Sequence, residues 1–468
     1  MFGKEDTMSL KATYIVPHPP LILPEIGKGS ERSIKKTIES YHAVAKEIAL
    51  IKPQTIIIIS PHALAYSDCF SISSSPRYKG SFHRFGVNSV GFEVKNDLAL
   101  SDAIIKNAII KKIDVFSFPS KLDELDHGVM VPLYFLKQYY FDFDLVVIPL
   151  SGLSIESHYQ LGQAIQETIQ QQSKQIVIIA SGDLSHKLTL DGPYGFCQEG
   201  PIYDQMMTDA MAKGDFFQFL TIDESLYSKA ADCGRKSFVM MAGALDCYTV
   251  SPKLFSYEGP FGVGYAVASY HPSNQDSSRC LLPNYHAWQD KLMNQSRLNE
   301  DPYVALARKS LEYYLENKKA LPLPQNLPQD LTNEKAGVFV SLKIDHELRG
   351  CIGTISPTTS SIALEIIQNA VSAGINDPRF VPVELSELKK IVYSVDVLGE
   401  ATLVHDIIES DPKIYGVIVK YNQKTGLLLP NLEGVDTVEE QLSIALKKAN
   451  IRHSDPYSIY RFLVTRHY

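Results

Sequence analysis

The sequence predicts an α/β protein: a three-layer domain around a central, mostly parallel sheet, followed by a smaller α+β domain. Three observations carry this. Thr55-Ile56-Ile57-Ile58-Ile59-Ser60 has no polar face, as expected of a strand covered by helices on both sides. Ala12-Thr13-Tyr14-Ile15-Val16 and Gln175-Ile176-Val177-Ile178-Ile179-Ala180 repeat that design, and helical periodicity separates the runs. The chain of 468 residues also exceeds one ordinary core.

The elements follow in order. Ile34, Ile38, Ala43 and Ile48 recur at helical spacing and predict a helix over 30–51. It joins the first two runs as a βαβ unit, which predicts that they pair in parallel. Residues 66–95, rich in Ser, Gly, Phe and Tyr, read as a hairpin or irregular insertion. A helix over 98–112, a strand over 113–118 and a helix opened by Asp126-His127-Gly128 come next. Residues 145–150 form another buried run, and 158–171 a helix before the third histidine-bearing strand. Helices over 200–220 and 233–248 precede strands over 249–255 and 262–270.

The first domain is thus expected over 1–275. Residues 276–300, with Pro, Ser, Asn and Gln and no buried strand, read as a linker. The second domain is expected over 301–468. Helices over 303–316, 361–373 and 438–449 alternate there with strands over 337–342, 392–397, 415–420, 426–429 and 460–465, a mixture that suggests an antiparallel sheet.

Composition narrows the function classes. Hydrophobic content of 45% and charged content of 21% are those of a soluble globular protein. A net charge of −8 and the lack of a basic cluster with interleaved aromatics argue against nucleic acid as a partner. No run of ~18 apolar residues is present, so no membrane span is expected. The charged start, Met1-Phe2-Gly3-Lys4-Glu5-Asp6, lacks the apolar core of a signal peptide, and a cytoplasmic location is expected. The six cysteines, at 69, 197, 233, 247, 280 and 351, show no CxxC and are expected as reduced thiols.

The chemistry gathers at strand ends. Pro17-His18-Pro19-Pro20, Ser60-Pro61-His62 and Ser181-Gly182-Asp183-Leu184-Ser185-His186 each follow a buried strand. Open α/β sheets place ligands beyond the carboxyl ends of their strands. Two histidines and one carboxylate form the facial triad that holds ferrous iron with open positions. Two carboxylates qualify: Asp183, on the loop of His186, and Glu258, in the Gly-flanked turn Tyr257-Glu258-Gly259.

PHPP, SPHA, LDHG, GDLSH and EGPFGVGYA, in this order over about residues 10–271, resemble the LigB-like superfamily of class III extradiol dioxygenases and Memo proteins. The resemblance implies an Fe(II) site of His18, His62 and Glu258. It also implies an acid–base role for His186, a substrate-pocket role for His127 and a small-molecule substrate such as an aromatic diol. In Memo proteins a non-carboxylate stands at the late glutamate's position, so Glu258 points to the dioxygenase branch. Leu348-Arg349-Gly350-Cys351-Ile352-Gly353, with Asn376-Asp377-Pro378-Arg379-Phe380 downstream, resembles the AMMECR family over about 300–468. Arg349 and Cys351 are its candidate site, with the cation lowering the thiol pKa, against the alternative of a core cysteine. The pair of domains resembles two members of the AmmeMemoRadiSam set. That resemblance implies a separate radical S-adenosylmethionine protein as partner, and a second reading as a metal-binding component without ring cleavage.

Overall fold

A computed structural model of the chain describes residues 8–118, 124–344, 347–404, 410–432 and 434–468. The chain forms two compact units, Met1–His286 and Ala287–Tyr468.

The first unit is built on a six-stranded sheet. Its order is Asp144–Pro149, Thr55–Ser60, Ile176–Ser181, Leu10–Val16, Tyr265–Gln275 and Tyr248–Glu258. The first four pair in parallel and the last two join antiparallel. Thr55–Ser60 and Ile176–Ser181 are buried at every position, because both faces of the sheet are covered. The first two histidine-bearing strands are parallel but not neighbours. Ile176–Ser181 is inserted between them, hydrogen-bonded to both. This places the ends that carry His18, Asp183 with His186, and His62 side by side.

Lys35–Ile51 buries Tyr41, Val44, Ala45 and Ile48 in the main core together with Val129, Leu133 and Phe135 of His127–Leu136. The insertion resolves into the antiparallel pair Arg77–Ser81 and Gly91–Lys95, and Phe70–Ser73, which pairs in parallel with Val115–Phe118. A helix at Glu224–Ala230 lies in a stretch with no predicted element.

Residues 276–300, read as a linker, hold a 3-10 turn at Ser277–Arg279 and the helix Leu281–Leu298. Polar side chains outnumber the apolar ones there, but Tyr285 is buried. The cysteines are not all reduced: Cys247 and Cys280 form a disulfide across 33 residues. The backbone brings them together, with Cys247 N–H donating to Arg279 O and Asp276 N–H to Cys247 O. Cys69, Cys197, Cys233 and Cys351 are free.

The second unit contains two four-stranded sheets. Glu347–Gly353, Val338–Ile344, Val392–Leu398 and Val464–His467 form one, antiparallel throughout. Helices Pro302–Asn317 and Ile362–Ile375 pack on it through Leu306, Leu311, Ile366 and Ala370. Thr402–Val404, Ser458–Phe462, Gly416–Tyr421 and Lys424–Leu428 form the other, covered by Val438–Ala449. No described helix is long and apolar enough to cross a membrane.

Candidate metal centre

Backbone geometry at three strand ends builds the centre. Pro17 follows Val16 and turns the chain, and His18, 1% exposed, is held on three sides. Its backbone N–H donates to Asp183 Oδ1 at 2.8 Å, and its Nδ1 lies 2.9 Å from Ser181 Oγ. Ser181 Oγ donates to Gly128 O at 2.6 Å. The serine's only hydrogen is therefore spent, so it accepts from His18 Nδ1–H. This network assigns the tautomer and leaves Nε2 with a lone pair, as in metal-ligating histidines whose second nitrogen is tied to a neighbour.

His62, open to solvent, approaches His18 with Nε2 to Nε2 at 2.9 Å. Its loop is anchored where Ser60 Oγ accepts from His62 N–H and donates to Asp126 Oδ1 at 2.7 Å. His127, the first residue of its helix, stacks on His62 at 4.2 Å between ring centroids and meets His18 edge-on at 5.3 Å.

The third donor-type side chain at this point is Cys233. Its Sγ lies 3.6 Å from His18 Nε2, and His18, His62 and Cys233 place their donor atoms within 4.8 Å of one another. A close loop contact brings it there. A Cβ at Gly182 would stand 2.3 Å from Gly234 Cα, so glycine is required for the 182 and 234 loops to touch. Asp183 N–H then donates to Cys233 Sγ at 3.3 Å, and Gly234 N–H to Asp183 O at 3.1 Å. A backbone N–H aimed at sulfur favours the thiolate.

Glu258 is not part of this group. Its Oε2 accepts from both Thr37 N–H and Thr37 Oγ1, each at 2.7 Å, in the first turn of Lys35–Ile51. A carboxylate is favoured at that helix end by the unpaired N–H groups and the macrodipole. Of the expected His18–His62–Glu258 triad, the structure brings His18 and His62 together, with Cys233 beside them, and places Glu258 at Thr37 instead. The sequence held little sign of this, since Asp232-Cys233-Gly234 precedes a helix with no ligand-like spacing to the histidines.

Asp183 and His186 border the centre on the Cys233 side. His186 is fixed by its backbone N–H to Ala230 O and stacks on Tyr194 at 5.1 Å. Its Nε2 is enclosed and without a hydrogen-bond partner among the described residues.

The electrostatics suit a cation. Burial, then the neighbouring His62, His127 and His186, push His18 well below the usual histidine range. Burial lowers His62, and lowers His127 and His186 to about 4, with His62 adding to the last two. Neutral imidazoles with free lone pairs result. Burial also raises the Cys233 thiol, and raises Asp183 to about 7. A bound cation opposes both shifts, because it favours the ionised ligands. Nitrogen and sulfur donors bound at about 2.0–2.3 Å to one ion lie about 3–3.6 Å apart. The observed spacings of 2.9 and 3.6 Å fit that requirement.

The second-domain candidates do not meet. Arg349 binds Glu387 through Nε at 2.7 Å and Nη2 at 3.0 Å, and donates from Nη1 to Val381 O. The cation at Cys351 is Arg379, whose Nη2 donates to Cys351 O at 3.0 Å. Cys351 Sγ accepts from Ser341 Oγ, and burial raises its thiol pKa instead of lowering it.

Comparison with known proteins agrees with this two-part organisation. Residues 12–268 match the family described as the catalytic LigB subunit of aromatic ring-opening dioxygenase, and 304–467 match AMMECR1. A Clostridium acetobutylicum protein is 41% identical over 98% of this chain and 99% of its own length. A Thermotoga maritima protein is 49% identical over 36% of this chain and 99% of its own. A crystal structure of an uncharacterized Escherichia coli protein covers 56% of this chain and 99% of its own, at 13% identity and a TM-score of 0.40. The chain belongs to the LigB family of the aromatic ring-opening dioxygenases' catalytic subunit and carries an AMMECR1 domain after it.

Proposed function

We propose that the first domain is a metal-dependent oxidoreductase whose ion, Fe(II), is held by His18, His62 and Cys233. The observation that carries this is the convergence of two neutral imidazole nitrogens and one sulfur beyond three neighbouring strands. Ferrous iron, when bound, supplies electron transfer between a chelating substrate and an oxidant. The protein's part is positioning and proton handling. His18 is the rigid member, enclosed and locked by Ser181. His62 faces the open side, where a small substrate enters. His127 lies against His62 and takes a substrate proton, as its neutral state allows. The test is anaerobic loading with Fe(II), metal analysis, and oxygen uptake against a panel of catechols. Iron lost in Cys233→Ala but kept in Glu258→Ala supports the donor set, and the reverse pattern overturns it.

Cys233 in the carboxylate's place favours a second reading. Here the domain is a metal-binding component of an AmmeMemoRadiSam modification system, without ring cleavage. The fused AMMECR1 domain supports it. A radical S-adenosylmethionine protein would be the partner. Retention of that protein by the full chain, together with iron binding and no catechol turnover, selects this reading. Turnover with a ring-opened product excludes it.

A further inference from the structure

We propose that the centre takes two metal ions, bridged by the Cys233 thiolate. The inference rests on the reading that His18, His62 and Cys233 bind a metal. The donors divide into two triads, His18–His62–Cys233 and Asp183–His186–Cys233, each with its donor atoms within 4.8 Å of one another. Cys233 is the member they share. A thiolate sulfur has lone pairs enough for two ions, and the Asp183 N–H on that sulfur stabilises its charge.

Two further observations single out the second triad. His186 Nε2 is enclosed and has no hydrogen-bond partner among the described residues. An enclosed imidazole nitrogen left so is costly unless something satisfies it, and an ion would take its lone pair. Asp183 divides its two oxygens. Oδ1 accepts from His18 N–H, whereas Oδ2 stands 3.9 Å from His18 Nε2 and accepts no hydrogen bond from a described residue. One oxygen thus fixes the loop while the other faces the centre.

Carboxylate, imidazole and thiolate together suit a borderline divalent ion such as iron or zinc. Two such ions against one thiolate and one carboxylate leave a net positive charge. That charge selects an anionic, oxygen-bearing substrate able to span both ions. The assignment also removes His186 from acid–base work and leaves proton handling to His127.

The test titrates the full chain anaerobically with Co(II), removes free metal and measures cobalt per chain with the thiolate-to-cobalt absorption. Wild type should hold two ions, with the sulfur absorption growing through both equivalents. Asp183→Asn keeps an oxygen for His18 N–H and should hold one. His186→Gln should also hold one, and it decides the matter if circular dichroism shows that Asp183→Asn does not fold. One ion in wild type overturns the second site and leaves the first intact. Two ions in the variants place the second ion elsewhere and overturn the proposal. No bound ion at all overturns this inference and the reading beneath it together.

Discussion

The Glu258 carboxylate accepts both of its described hydrogen bonds from Thr37, one from the backbone amide and one from the hydroxyl, each at 2.7 Å. The only acid in the late turn thereby ties the end of Tyr248–Glu258 to the first turn of Lys35–Ile51. In the structure it serves as a tie between these two elements, and the side chain gathered with His18 and His62 is Cys233, from a different loop.

The first prediction follows directly. Glu258→Ala should lower stability by about 1–3 kcal/mol, the scale of hydrogen bonds to a charged group. The metal content of the iron-loaded protein should stay at the wild-type level. Calorimetry and metal analysis on the same preparation check both halves. A variant that melts normally but loses iron would return Glu258 to the ligand set.

His127 provides the second. Its ring lies flat on His62 and edge-on to His18, yet it falls outside both donor groups. His127→Gln should keep the metal and lower turnover by about 10²-fold or more. The acidic limb of the pH–rate profile should go with it, whereas loss of metal would make His127 a positioning residue for the ligands.

The strands and the centre were unequally legible in the sequence. Leu10–Val16, Thr55–Ser60 and Ile176–Ser181 stood out because burial on both faces demands unbroken apolar runs, and His18, His62 and Asp183 followed from the residues just past those strands. The order of the strands was not legible. Local patterning marks each strand but carries no sign that Ile176–Ser181 inserts between Leu10–Val16 and Thr55–Ser60. Cys233 was missed for a related reason. It meets His18 across 215 residues, through a contact that depends on Gly182 and Gly234, and no spacing rule spans that distance. Cys247 and Cys280 escaped likewise, since a turn and a strand start bring them together.

The third prediction concerns pH. Asp204 is buried, accepts from Ser185 N–H at 2.8 Å and from Tyr257 Oη at 2.6 Å, and burial raises its pKa to about 7. Across the window from about 4, its value in an unfolded chain, to about 7, the folded state holds a proton that the unfolded state has lost. Stability from this group is therefore complete below about pH 4 and is lost as pH rises through 7. Asp183 and Asp232, raised to about 7 and about 6 by burial, act in the same direction. Asp204→Asn should flatten the fall in the first domain's thermal midpoint between pH 5 and 7.5 without abolishing it. An unchanged slope would mean that Asp204 titrates at its ordinary value.

The fourth prediction lies in the AMMECR1 domain. Glu347–Gly353 is an edge strand, paired on one side only with Val338–Ile344. Asp377 and Arg379 occupy its other side at Cys351: Cys351 N–H donates to Asp377 Oδ2 at 2.8 Å, and Cys351 O accepts from Arg379 at 3.0 Å. Arg379 also holds Asp377 directly, through Nη2 at 2.7 Å, and this pairing draws the Asp377 carboxyl down to about 2. An edge with its amide and carbonyl satisfied in this way is closed to pairing with another strand. The thiol, half-buried and raised, should then resist alkylation at neutral pH. Arg379→Ala leaves buried Asp377 without its cation and Cys351 O without its donor. The domain should lose about 1–3 kcal/mol, discounted for the exposed half of the arginine. Cys351 labelling, followed by mass spectrometry, should accelerate in the variant while Cys69 in the first domain keeps its wild-type rate. Rapid labelling of Cys351 in the wild type would show an open thiol, and the strand edge would then be a reactive surface instead of a closed one.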